Sequence, residues 1–442
     1  MLPLTENLAE SVDAVLRRDI PRGATIAVGL SGGIDSVVLL HVLLRRLRIA
    51  PARISAIHVN HQISPHAARW AAFCRRLCRE FGVKLSVAKV DVPRGNSTEA
   101  AARAARYAVF AESGADVLLL AHNRDDQAET VLLQLLRGAG PRGLSAMAVL
   151  KPGTSRMPAV LRPLLETSRA AIETYAARHD LQWVEDESNQ DRTYLRNFLR
   201  HDVLPLLESK LPGVRGTLAR AARHQAECSE LLDVLAADDL GAENRARRLP
   251  LALLKGLTPS RARSALRYFL RSNEVAMPEA ERLDELLRQA TTARGDARVC
   301  VDLGDVELRR FQGALYIVRP LPPLEKSFEM TWNGRGTLLL PQLGGSLRLL
   351  RRKGEGIAAA LRPAALQVRI RRGGEVLRPA LTGRQRTVRN LLQEAALPPW
   401  LRERLPFLYV DGELAAVPGL GVDAKFQAGE GKPGLLPVWI PD

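Results

Sequence analysis

The sequence predicts an α/β protein: an N-terminal parallel sheet with helices on both faces, a helical middle part and a small α+β C-terminal part. Three observations carry this. Four apolar runs of strand length alternate with helix-period stretches in the first part of the chain, the pattern of a parallel sheet. Val214 to about Gln289 reads as helix after helix, punctuated by Pro250, Pro259 and Pro278. From Phe328 onward the chain is rich in Gly and Pro, with short strands and one clear helix, Arg384 to Ala395. The expected boundaries are 1–210, 211–325 and 326–442, with Pro320-Leu-Pro-Pro323 as a linker.

The first strand is Ile26 to Leu30, broken at Ser31-Gly32-Gly33. Val37, Leu40, Leu44 and Leu47 then fall at helical spacing. The second strand is Ile54 to Asn60, followed by a loop through His61 and His66 and a helix from Ala67 to Phe81, ended by Gly82. Val83 to Val90 is the third strand. Asn96 and Glu99 are spaced as a capping box before the Ala-rich helix Thr98 to Glu112. Asp116 to Ala121 is the fourth strand, and Arg124 to Arg137 the helix after it. Ser168 to His179 reads as a helix, Gln182 to Glu185 as a short strand, and Val299 to Val318 as two strands joined near Gln312-Gly313.

Composition narrows the function. At 442 residues and 46% hydrophobic content, the chain has material for several cores. No run approaches the roughly 18 apolar residues that span a bilayer, and the first residues carry Glu6, Glu10 and Asp13 without an apolar segment, unlike a signal peptide. Four scattered cysteines make no disulfide framework, and Cys74 and Cys78 read as thiols rather than metal ligands, so a cytoplasmic location is expected. The formal charge of +16 favours a polyanionic partner. From Arg335 to Arg404 there are fifteen Arg/Lys and four Asp/Glu, a net +11 on one segment.

A helix that starts at a glycine turn directs unpaired N–H groups and a positive dipole end at whatever sits there, which makes an anion site. Gly32 and Gly33 admit close backbone approach, Ser31 and Ser36 add hydroxyl donors, and Asp35 can hold a metal ion or orient a nucleophile. Ligands of parallel sheets sit at the carboxyl ends of the strands. Ser31–Ser36, His58–His61 and His122–Glu129 all fall at such ends and are expected to converge. Asp125 and Glu129 are four apart and share a helix face. Such carboxylates can complement the helix dipole, carry Mg²⁺ on phosphates, or hold an ammonium group. Arg103 with Arg106, and Arg196 with Arg200, likewise share faces. Gly29-Leu-Ser-Gly-Gly33 also fits a hydrolase nucleophile elbow, which explains neither Asp35, Ser36 nor the charge.

Ser31-Gly-Gly-Ile-Asp-Ser36 resembles the SGGxDS loop of the PP-loop ATP pyrophosphatases, a Rossmann-like group that adenylates an oxygen and lets a nucleophile displace AMP. Within it, Thr98–Tyr107, Ala121–Gly138, Asp186–Asn197, Arg371–Glu375, Pro398–Gly412 and Val417–Leu420 are similar to the tRNA(Ile)-lysidine synthase family. The tRNA thiolases of the group usually carry C-x-x-C pairs, which this chain lacks. The resemblance implies a ligase that joins free L-lysine to the first anticodon cytidine of an isoleucine tRNA, with ATP and Mg²⁺. It implies ATP contacts at Ser31, Gly32, Gly33, Ile34, Asp35, Ser36 and His58, and Mg²⁺ at Asp35 and Asp126. Asp35, Asp125, Asp126 and Glu129 are the catalytic candidates, and Arg103, Arg106, Arg196, Arg200, Arg371 and Arg372 the tRNA-binding ones. Trp400 either stacks on a splayed base or packs in a core. The oligomeric state is left open, a dimer included. A non-catalytic RNA-binding protein is the alternative, and it would need neither Asp35 nor the carboxylate cluster.

Overall fold

Two units make up the chain, Met1–Val234 and Leu235–Asp442. The computed structural model describes residues 4–46, 53–92, 98–154, 157–241, 247–292, 299–325, 327–361, 366–379 and 384–441, and side chains within these ranges except at 4–7, 98–100 and 188–189. Leu47 and the Asn96–Glu99 capping pair lie outside what is described.

The first unit begins with α1 (Leu4–Asp19), then β1 (Ile26–Gly29), α2 (Ile34–Arg46), β2 (Ile54–Asn60), α3 (Ala67–Glu80), β3 (Lys84–Lys89) and α4 (Thr98–Ala111). It continues with β4 (Val117–Leu119), α5 (Arg124–Leu136), α6 (Pro141–Leu144), β5 (Leu150–Lys151), β6 (Ala159–Leu161) and α7 (Arg169–Arg178). The sheet order is β3-β2-β1-β4-β6-β5. All pairings are parallel except β5 on β6, an antiparallel edge. The chain runs outward from β1 through β2 to β3, then returns to place β4 on the other side of β1. That reversal opens a crevice at the carboxyl ends of β1 and β4.

Both sheet faces are covered, as alternation of strands and helices requires. One core joins Val28 and Leu119 to α1, α2, α3 and α7. The other joins Ala27, Ile57, Leu118 and Val160 to Phe110 of α4. The single stripe expected on α2 becomes burial all round, since Val38, Leu39 and Leu43 are buried as well as Val37 and Leu40. The cause is α1, which the sequence reading passed over: its Leu8, Val12 and Leu16 are buried in the same core. Each such side chain contributes roughly 1.5–3 kcal/mol of transfer free energy. Cys74 and Cys78 lie in this core, and burial pushes their thiols up to about 12 and about 11, so both stay protonated.

The strand expected at Gln182 to Glu185 is absent. The backbone there makes one bond to a distant segment, Val184 N–H to Gly32 O at 3.0 Å, and no ladder. After it come α8 (Leu195–Phe198), a wide π turn (Leu199–Val203), α9 (Leu204–Lys210) and the 27-residue α10 (Val214–Leu240).

In the second unit, Leu251–Lys255, Pro259–Ser272 and Ala280–Thr292 are helices packed on a four-stranded sheet. The two strands expected over Val299 to Val318 are three: Glu307–Phe311 and Ala314–Val318 form the hairpin, with Gln312 and Gly313 turning at φ 43° and 70°, and Cys300–Asp302 is a separate strand paired with the first of them. Beyond Pro323 the chain forms sheets of five, four and two strands. The late helix is shorter than expected, Val388–Glu394, because Arg386 and Thr387 pair as strand with Val376 and Leu377 and Thr387 caps the helix. Trp400 packs edge-on against Phe311 and Tyr316, with centroids 6.1 and 5.6 Å apart, and Arg309 covers its face at 5.4 Å. It is a packing residue here.

Candidate active site

The glycine loop is held by its own hydroxyls. Gly32 N–H donates to Ser36 Oγ and Gly33 N–H to Ser31 Oγ, both at 3.2 Å, while Ser36 Oγ donates to Gly33 O at 2.9 Å. Gly32 has φ +91°, and a Cβ there would stand 2.9 Å from Val184 Cγ2. Conformation and space both demand glycine. Ile34 is buried as the first residue of α2, and the Asp35 side chain leaves the first turn of that helix.

Asp35 joins the loop to the next strand end. Its Oδ1 accepts from Asn123 Nδ2 at 2.9 Å and its Oδ2 from an Arg169 guanidinium nitrogen at 2.6 Å. Burial raises the Asp35 carboxyl above the usual range and the charge of Asp126 adds to this, against Arg169 and Asn123. Asn123 is the N-cap of α5: its Oδ1 accepts from the N–H of Asp125 and Asp126, and Asp126 Oδ2 accepts from Asn123 N–H, a complete capping box.

The carboxylates of α5 all carry arginine. Asp125 accepts from Arg215 at 2.7 Å and from Arg169 N–H at 3.0 Å. Asp126 Oδ1 accepts from Arg200 at 3.0 Å and Arg196 at 3.3 Å. Glu129 is wholly buried and accepts from Arg196 Nε at 2.8 Å and from Arg200 at 2.5 and 2.9 Å. The π turn that follows α8 contains Arg200, so both guanidiniums reach one acidic patch. Four carboxylates, Asp35, Asp125, Asp126 and Glu129, thus face four arginines, Arg169, Arg196, Arg200 and Arg215.

The three strand ends meet as expected, through unequal contacts. His58 is buried with Nδ1 2.9 Å from Leu30 O and 3.5 Å from Cys74 Sγ, behind the loop. Burial lowers its basicity. His122 follows β4, its Nδ1 is buried without a hydrogen-bond partner, and burial with nearby arginines lowers its pKa to about 4 despite Asp126. It is neutral near pH 7. Arg103 lies over the Tyr107 ring at 5.0 Å, and Arg106 lowers the basicity of half-buried His61, after burial itself. In the other unit, Arg372 pairs with Glu329 at 3.3 Å and Arg371 with Glu375 at 4.0 Å.

Sequence reasoning missed Asn123, Arg169, Arg215 and Arg162. Arg169 had a signal: it is the first residue of a helix, where a cation opposes the dipole unless a carboxylate holds it. Asn123 had another, as an Asn directly before a periodic stretch. Arg162 and Arg215 had none.

Comparison with known proteins agrees with this geometry. A PP-loop domain model matches residues 4–207, a TilS substrate binding domain model residues 249–316, and a TilS substrate C-terminal domain model residues 366–439. The glycine loop at the β1–β4 reversal and the first of these models define a PP-loop ATP-binding enzyme. The tRNA(Ile)-lysidine synthase of Nitrosomonas europaea is 41% identical over 435 residues, covering 96% of this chain and 94% of its own. That of Chromobacterium violaceum is 43% identical over 424 residues, covering 94% and 95%. The chain belongs to the tRNA(Ile)-lysidine synthase family. Among solved structures, a U34-tRNA thiolase from Methanococcus maripaludis is 19% identical, covers 51% of this chain and 80% of its own, and has a TM-score of 0.43.

Proposed function

We propose that the protein ligates free L-lysine to C2 of the first anticodon cytidine of an isoleucine tRNA, at the expense of ATP. ATP adenylates the C2 oxygen and releases pyrophosphate; the lysine ε-amine then attacks C2 and expels AMP. The observation that carries this is Asp35, which stands on the phosphate loop and is tied through Asn123 and Arg169 to the acidic start of α5. Phosphate cradle and ammonium site thereby share one crevice.

The N–H groups that open α2 receive the phosphates, and their dipole stabilises charge that grows on them during transfer. Asp126, which is partly exposed, offers its carboxylate to the ε-ammonium and takes its proton as the amine attacks, while buried Glu129 anchors the two arginines beside it. Arg196 and Arg200 hold these carboxylates aimed until substrate arrives. Mg²⁺ fits the residues present: Asp35 and Asp126 are hard oxygen donors whose mutual repulsion a cation relieves. Among the described residues no three His, Cys, Asp or Glu side chains form a ready metal cage, which suits an ion that arrives on ATP phosphates. When bound, it neutralises charge on the departing pyrophosphate.

We assign ATP and lysine chemistry to 1–210 and tRNA contacts to 211–325 and 326–442, a division supported by one family model falling within each segment. Among the described residues no helix is long and apolar enough to cross a membrane. The test is AMP release from ATP with lysine and isoleucine tRNA supplied together and singly. Release is expected only with all present. Equal AMP without tRNA or lysine would contradict the reading.

A further inference from the structure

Next to the charge-balanced carboxylate cluster lies a group of cations that is not balanced. Arg162 leaves the carboxyl end of β6 and is only 5% exposed. One guanidinium nitrogen donates to Ala148 O at 2.8 Å, and its buried Nε has no hydrogen-bond partner. Its other neighbours are the Tyr107 hydroxyl and a second cation, Arg103. Arg103 donates to Tyr107 Oη at 3.4 Å and stacks on the same ring. Among the described residues neither arginine has a carboxylate in ion-pair contact. A guanidinium buried without a counter-ion is costly, and the cost falls when an anion arrives. His122 is the link between the two groups: the charges of Asp126 and Arg196 and those of Arg162 and Arg103 all act on it. Around neutral His122, a carboxylate, Asp126, and two cations without a carboxylate partner, Arg162 and Arg103, thus stand close together. This arrangement suits a ligand with an ammonium at one end and a carboxylate at the other.

We propose that Arg162 and Arg103, with the Tyr107 phenol between them, receive the α-carboxylate of the amino-acid substrate while its ε-ammonium lies toward Asp126. The proposal rests on the ligase reading above. Phosphate is the less suitable anion, because the glycine loop at the end of β1 already provides for it. Arg103 is solvent-exposed and contacts the ligand; Arg162 holds Tyr107 and supplies the buried charge.

The test compares lysine with lysinamide, which lacks the carboxylate charge, in the wild type and in Arg103→Met, Arg162→Lys and Arg162→Met. A charged hydrogen-bonding pair sets the scale, so wild type should prefer lysine by about tenfold or more in kcat/KM. Arg103→Met should lose most of that preference through KM for lysine, with KM for ATP within about twofold of wild type. Arg162→Lys should keep much of the preference and Arg162→Met little. If Arg162→Met does not fold, Arg103→Met and Arg162→Lys decide the matter. An active wild type that uses lysinamide as well as lysine would overturn the proposal and leave the ligase reading standing. So would variants whose KM rises for ATP instead. A wild type that never requires an amino acid would overturn the ligase reading itself.

Discussion

Arginine is concentrated in two places, and the two use it differently. In the crevice of the first unit each of the four acidic side chains has a guanidinium, and Asp126 and Glu129 have two each. In the basic segment of the second unit some arginines are engaged within the fold. Arg369 and Arg372 share Glu329, Arg371 meets Glu375, Arg386 meets Glu394, and Arg404 donates to the carbonyls of Leu321, Pro322 and Gln342. The strand Gly345–Lys353 differs: Arg348, Arg351, Arg352 and Lys353 are exposed, with no acidic partner among the described residues. Paired arginine fixes geometry before a substrate arrives. Unpaired arginine leaves charge for phosphates. The net charge of a segment does not separate the two; its pairing does.

The sharpest way to break this contrast is at Asp35, whose carboxylate ties the crevice together. Asp35→Ala should lower AMP release by about 100-fold or more, while tRNA binding, measured by filter retention, stays near wild type. Unchanged turnover would remove Asp35 from the site. Next comes Glu129→Gln, which leaves Arg196 and Arg200 without their buried charge. Loss of one partner from a buried pair costs up to 3–5 kcal/mol, and partial exposure of both arginines brings the expected loss to about 3 kcal/mol in urea unfolding. No loss would mean that the cluster is not pre-organised by pairing.

Acid sensitivity of the first unit gives a third prediction. His41 is buried against Tyr175, with Nδ1 and Oη 3.0 Å apart. Burial, then Arg45 and His179, lower its pKa to about 4 from 6.5. The unfolded chain therefore binds the proton first as pH falls from about 6.5 to 4. Stability is full above that window, and roughly 3 kcal/mol should be lost across it. His41→Gln should flatten the profile, and an unchanged slope would show that His41 is not its source. The smallest effect belongs to the second unit. Arg351→Glu with Arg352→Glu should weaken tRNA binding by about tenfold and reduce its salt slope by roughly 2, whereas Arg371→Ala with Arg372→Ala should change both less. The reverse order would locate the phosphates on the paired arginines.

Much of this was legible in the sequence. β2 runs from Ile54 to Asn60 as the apolar pattern indicated, and the glycine loop lies between a strand and a helix as its spacing required. Local signals sufficed there. The Gln182 to Glu185 stretch misled because its short apolar run covers the loop without joining a sheet. The ion-pair network was illegible for another reason. Asp35 meets Arg169 across 134 positions and Glu129 meets Arg200 across 71, and helix-face spacing within one segment cannot report such partners. Arg196 and Arg200, tRNA-binding candidates by resemblance, share a face that in the fold is turned to Asp126 and Glu129.

The most direct measurement is mass analysis of isoleucine tRNA after incubation with ATP and isotopically labelled lysine, followed by nuclease mapping. One lysine should be found per tRNA, carried by the first anticodon cytidine, and Asp35→Ala should yield none. Lysine-dependent AMP release with no mass added to the tRNA, or label on another nucleotide, would contradict the proposed reaction.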